Sequence, residues 1–354
     1  KQKTAYEIRN CDWSSDVCSS DLGERPRSGR GRPHQIREPN LERCRRRRWC
    51  GLTDQTGPPP ALDPVPRFPR LSAGATLSAR MARWGVAIVL AYAAVALLTP
   101  LLIQLGWLAD PNAGLANPID APPSLAHWCG TDRLGRDVCV RTLAGSGVAL
   151  QVVVIALVLA LLIGVPLGMV SGYLGGWVDR LLVLLMDTLY TLPVLLLSVV
   201  LAFLLGRGLP NAAAALCVVY VPQYFRVVRN QTAQVKAELF VEAAQSLGAG
   251  PLWILRRYLL RNVITSVPVL LTLNAADAVL VLGGLGFLGL GLPETIPEWG
   301  GDLQQALTSV PTGIWWTALF PGLAMFVLVL GLSFLGEGLE QWLSGQNGPG
   351  RVSG

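Results

Sequence analysis

Ala149 to Tyr173 reads ALQVVVIALVLALLIGVPLGMVSGY, 25 residues without a charged side chain. A helix needs about 20 mainly apolar residues to cross the hydrocarbon core of a bilayer. In lipid, only a helix or a closed barrel satisfies its own backbone polar groups. This stretch is therefore expected to be a spanning helix, and five more runs of the same character flank it. Trp84–Ala109 precedes it. Leu181–Leu205 follows, with Asp187 near its start, then Asn211–Phe225, Val263–Leu285 interrupted by Asp277, and Trp315–Phe334. The expectation is an all-α integral membrane protein with six transmembrane helices. Composition agrees, with 51% hydrophobic and 15% charged residues where a soluble domain carries about a quarter charged.

The net charge of +6 is unevenly spread. Residues 1–80 hold 16 of the 29 basic and 9 of the 23 acidic residues, a net of +7, which leaves −1 for residues 81–354. Arg45 to Arg48 could form a nucleic-acid or lipid patch, but the segment is better read as lying outside the working protein. KQKTAYEI and CDWSSDVCSSDL, within residues 1–22, look like translations of a sequencing adapter, and such scars carry no fold information. Residues 23–80 are rich in Arg, Pro and Gly without apolar periodicity, as in disordered chain. Three parts are expected: an N-terminal extension over 1–80, a membrane domain over 81–345 opening at Met81, and a tail over 346–354.

Basic residues near helix ends favour the cytoplasm. The loop at about 226–262 carries Arg226, Arg229, Lys236, Arg256, Arg257 and Arg261, whereas the next loop has Glu294, Glu298 and Asp302 and no basic residue. The first of these is expected inside and the second outside, with both termini cytoplasmic. The first loop, expected outside, carries Arg133, Arg136 and Arg141 accompanied by Asp132 and Asp137. Cys129 and Cys139 share that loop and pair if it faces an oxidising compartment. Asp187 is expected at the cytoplasmic interface, solvated or paired with Arg180.

What is missing narrows the chemistry. After Met81 the only lysine is Lys236, between Val235 and Ala237, so the Gly-Lys-Ser/Thr phosphate loop is absent. The only histidine there is His127, which leaves no multi-histidine metal site or histidine-based triad. The chain is expected not to be an enzyme and to hold no cofactor or metal itself.

Within the basic loop runs Val241-Glu242-Ala243-Ala244-Gln245-Ser246-Leu247-Gly248. Ala and Glu favour a short helix, small alanines allow a partner to approach closely, and Gly248 can end the helix in a left-handed turn. Glu242, Ala243, Ala244 and Gly248 resemble the "EAA…G" signature of importer-type ABC transporter permeases. That resemblance implies a coupling helix that sits in a cleft of an ATPase; the bland alternative is an ordinary amphipathic helix with a glycine cap. The family usually continues to Leu-Pro, whereas here Leu260 precedes Arg261, leaving the geometry after the coupling helix open.

In the first loop, Gly130-Thr131-Asp132-Arg133-Leu134-Gly135-Arg136-Asp137 resembles the "GTDxxGRD" signature of the dipeptide, oligopeptide and nickel importer group. Similarity resumes in Gly172–Asp179, Phe287–Gly291 and Pro297–Gly300, and the layout looks like the C-type half of the permease pair. Glycines there allow tight turns, Thr131 or Asp132 can cap a helix, and Arg136 can pair with a carboxylate. The loop is thus either an ordered external cap receiving a binding protein or a turn closed by local ion pairs. Asp277, charged within a span, lines the pathway or faces a partner subunit.

The resemblance implies a permease paired with a second permease, two cytoplasmic ATPases that bind ATP and Mg, and an external solute-binding protein, all in the bacterial inner membrane with no nucleic acid involved. The solute is a peptide, nickel or another small molecule. An ion-driven secondary transporter is the alternative and predicts an inverted repeat with intramembrane ionisable pairs; neither stands out in the sequence.

Overall fold

The uncharged runs do become helices. The computed structural model describes residues 72–114, 117–264 and 266–346, all within the unit Pro69–Gly354. In chain order the helices are α1 (Ser72–Gln104), α2 (Val138–Leu174), α3 (Gly176–Tyr190), α4 (Val194–Leu205), α5 (Leu209–Lys236), α6 (Leu239–Ser246), α7 (Pro251–Ile254), α8 (Leu260–Ile264), α9 (Val267–Phe287), α10 (Trp299–Ala306) and α11 (Trp316–Gln346). No named strand occurs among the described residues, so the all-α expectation holds. Helices α1, α2, α5, α9 and α11 are each long and apolar enough to span a bilayer, and α3 with α4 qualifies as a sixth, broken span.

That third span differs from the single rod expected over Leu181–Leu205. It is bent by 91° between α3 and α4. Pro193 supplies the cause: it has no N–H to donate, and it disfavours helical geometry at Leu192 before it. The second span begins eleven residues ahead of Ala149, because Asp137 caps α2 by accepting the Val140 N–H at 3.1 Å. Helix α1 begins at Ser72, ahead of its candidate span Arg80–Gln104, so residues 72–80, expected to belong to an unstructured extension, are helical. Residues 1–71 and 347–354, including the adapter-like stretch and most of the expected tail, lie outside the described residues.

Packing centres on α2 and α5. Gly164, Gly168 and Gly172 recur every fourth residue on one face of α2. A Cβ added at them would come within 2.8 Å of Tyr224 Cβ, 2.7 Å of the Phe225 carbonyl oxygen and 2.6 Å of the Arg229 carbonyl oxygen. Lipid tails remove the hydrophobic drive between spanning helices, so close backbone approach through small residues holds them instead. The core continues through Val152, Ala156 and Leu157 of α2, Leu216 and Tyr220 of α5, Val279 and Leu282 of α9 and Leu328 of α11. Helix α1 lies on α11, where the Tyr92 hydroxyl donates to the Ala324 carbonyl at 2.8 Å. The opposite faces expose Leu90, Leu97, Leu162, Ile163, Phe203 and Leu204, as suits lipid contact.

Candidate functional site

The molecule has two polar ends. The basic end carries α6 between α5 and α7; the disulfide end gathers residues 105–114, 117–137 and 288–315.

At the basic end, Glu242, Ala243 and Ala244 lie on α6, and Gly248 ends it. Gly248 has φ +85° with nothing near its missing side chain, so the glycine serves the backbone turn and not space. The Gly248 N–H donates to the Gln245 carbonyl at 2.9 Å and the Ala249 N–H to the Ala244 carbonyl at 3.0 Å, the paired bonds that close a helix on a left-handed residue. Val241 and Ala244 are buried, Val241 against Tyr173, Ile254 and Leu259. Glu242 and Ala243 are exposed, as are Leu239 (81%) and Leu247 (89%). No ion pair to Glu242 occurs among the described residues. Its place in the first turn of α6 suits the positive end of the helix dipole.

Beyond the turn, α7 passes through one π turn (Leu255–Leu259) into α8. Where the resemblance led to Leu-Pro, Leu260-Arg261 instead continues as helix. Tyr258 sits between Phe240 and Trp253, with ring centroids 5.5 and 5.4 Å away. Two ties join this unit to the spans: Lys236 Nζ donates to the Tyr173 carbonyl at 2.7 Å, and Arg229 forks onto Asp179 at 2.5 and 2.6 Å. Asp187 pairs with Arg226 at 2.7 Å and not with Arg180, because α3 packs against α5.

At the disulfide end the six signature residues occupy one turn and the start of α2. Gly130 (φ +74°) and Gly135 (φ +71°) take left-handed turns. The Thr131 hydroxyl donates to the Pro118 carbonyl at 2.6 Å and accepts the Ala121 N–H at 2.9 Å. Asp132 accepts the N–H groups of Leu134 and Arg136 and the Nε of Arg136, at 2.9, 2.8 and 2.7 Å. Arg136 also donates to Gln305 on α10. Asp137 accepts from His127 at 2.9 Å as well as capping α2. Cys129 and Cys139 form a disulfide, and Trp316 at the start of α11 donates to the Thr131 carbonyl at 3.0 Å.

Helix α10, absent from the sequence reading, is what this turn rests on. Arg141, only 3% exposed, pairs with Asp302 at 2.7 Å. Glu298 caps α10 by accepting the Gly300 and Gly301 N–H groups, both at 2.8 Å. Trp299 lies over Gly145 and donates to the Thr142 carbonyl at 2.9 Å. Burial pushes the Glu298 carboxyl up to about 7, against the pull of its two backbone donors. Burial raises Asp302 too, opposed by Arg141. The available signal was Pro297–Gly300: a Glu before Trp-Gly-Gly has two unhindered N–H groups to cap.

Asp277 stands apart from both ends, midway along α9. It is exposed on the isolated chain and accepts a 2.8 Å hydrogen bond from the buried Tyr220 hydroxyl of α5.

Residues 164–345 match the family described as "Binding-protein-dependent transport system inner membrane component". A glutathione transport system permease protein of Shigella flexneri serotype 5b is 40% identical over 221 residues, 62% of this chain and 73% of that protein. Proteins of the same description from Escherichia coli O6:K15:H31 and Shigella boydii serotype 4 are 38% identical over the same shares.

Proposed function

The chain belongs to the binding-protein-dependent transport system inner membrane component family, and from that premise we propose that it carries a peptide-like solute inward beside a second permease. It is a multi-pass ABC importer permease, a transport subunit and not an enzyme. ATP and Mg belong to two ATPase subunits, one of them docked on α6, and an external solute-binding protein delivers the solute at the disulfide end. The basic end then faces the cytoplasm with both termini, as the loop charges favour. A peptide-like solute is supported by the relatives, which are glutathione permeases by description.

The observation that carries this reading is the build of α6. It is anchored by Val241 and Ala244, closed by Gly248, and presents Glu242, Ala243 and exposed leucines that nothing among the described residues covers. A docked ATPase supplies the missing contacts. ATP-driven closure moves α6, and Val241 passes the movement to Tyr173 at the end of α2. Alternating access follows as this subunit shifts against its companion, and hydrolysis resets it.

Glu242→Lys tests the assignment. The variant is expected to insert and assemble normally while solute-stimulated ATP turnover in the complex drops to the unstimulated level. Normal stimulation would remove α6 from the coupling route.

A further inference from the structure

Asp277 lies ten residues from either end of α9 and is the only charged residue in that helix. Leu273, Leu280 and Phe287 share its exposed stripe, spaced by four, three and seven residues so that one helix face carries them. Tyr220 donates to one carboxylate oxygen; among the described residues the other accepts no hydrogen bond. A carboxylate at mid-membrane depth is costly against lipid and is tolerated where water or a polar partner covers it. The stripe offers an approaching molecule one polar contact in an otherwise apolar strip.

We infer that Asp277, steadied by Tyr220, receives the ammonium group of the solute midway across the membrane. This rests on the peptide-like reading above, since a peptide with a free amino terminus brings an ammonium group whatever its side chains. A carboxylate halfway along an apolar path replaces part of the hydration the ammonium group has left. It binds through one charged contact, so release toward the far side needs no large rearrangement. The same face, if it were sealed by a basic side chain of the companion permease, would have neither water nor room for a solute.

Cysteine chemistry in the reconstituted whole transporter separates these cases. In a background with Cys11, Cys18, Cys44, Cys50 and Cys217 replaced by Ala, Leu273→Cys and Leu280→Cys are treated with a cationic and an anionic methanethiosulfonate, with Leu125→Cys in the first loop as reference. Both stripe positions are expected to react, with the cationic reagent favoured about tenfold over its preference at the reference, as for a full charge a few Å away in water. Asp277→Asn should erase that preference and Asp277→Glu should restore it. Excess S-methylglutathione, whose blocked sulfur spares the reagent, should slow labelling beside Asp277, and N-acetyl-S-methylglutathione should not. Unreactive stripe cysteines, a preference indifferent to Asp277→Asn, or equal effects of the two glutathiones would each overturn the inference. Solute-stimulated ATP turnover of the same preparation reads the parent proposal separately: its absence sinks the importer reading, whatever the labelling shows.

Discussion

The signature at the disulfide end and the signature at the basic end use charge in opposite ways. At the disulfide end, Asp132, Arg136, Asp137, Arg141, Glu298 and Asp302 find partners inside the chain. At the basic end, the coupling signature leaves Glu242 without an ion pair beside exposed Leu239 and Leu247. A charged side chain whose bonds are all made internally stabilises a shape. One displayed on a short anchored helix among uncovered apolar side chains fits an interface. Two motifs of similar length therefore do different physical work.

The sharpest way to break this contrast is to exchange readouts between the ends. Arg141→Ala leaves Asp302 buried without its partner, which costs about 3–5 kcal/mol, and should lower the melting temperature of the purified protein clearly. Glu242→Ala should leave melting unchanged while lowering ATP turnover in the complex. Equal thermal effects would erase the distinction.

Next comes pH. Glu298 titrates near 4.5 in the unfolded chain and at about 7 in place, so the folded protein holds the extra proton between those values. Its contribution is intact below the lower value and is lost as pH rises through the upper one, by up to about 3 kcal/mol. Thermal stability should decline from about pH 5 to about pH 8, and Glu298→Gln should flatten that slope.

Removing the disulfide with Cys129→Ser and Cys139→Ser frees a ten-residue separation, costing about 2–3 kcal/mol. Melting should drop while stimulated turnover in the cold stays normal. The smallest change is Gly248→Ala. It puts a side chain on a left-handed residue at a cost of about 1–2 kcal/mol, confined to the end of α6. Turnover should weaken, global melting should hardly move, and Gly248→Asn should sit between Ala and wild type.

The spans and the α6 segment were legible because both rest on local patterns: apolar runs of membrane length, and small helix formers ahead of a glycine. The rest depended on distant partners. Arg141 looked like the edge of a loop, yet it belongs to α2 because Asp302, 161 residues later, neutralises it. Asp187 was read as solvated or paired with nearby Arg180, since the packing of α3 on α5 that delivers Arg226 is not local, and the bend after α3 was missed too. Pro193 did offer a signal for that bend within an apolar run. Helix α10 hid in a loop of mixed character, its start fixed by a glutamate instead of the usual short capping residues. The depth of Asp277 was readable; Tyr220, 57 residues earlier, was not.

Gly164, Gly168 and Gly172 put no side chain of α2 into that seam, so its backbone meets the α5 backbone and the Cβ atoms of Tyr224, Val228 and Thr232. Side chains ordinarily absorb small displacements by changing rotamer, and here the main chain of one helix meets its neighbour directly. The seam therefore has almost no slack, and the two helices behave as one stiff beam. A nudge delivered at Tyr173 would reach the far side of the bilayer nearly undiminished, and adding a single methyl group at Gly168 would loosen the beam at its middle.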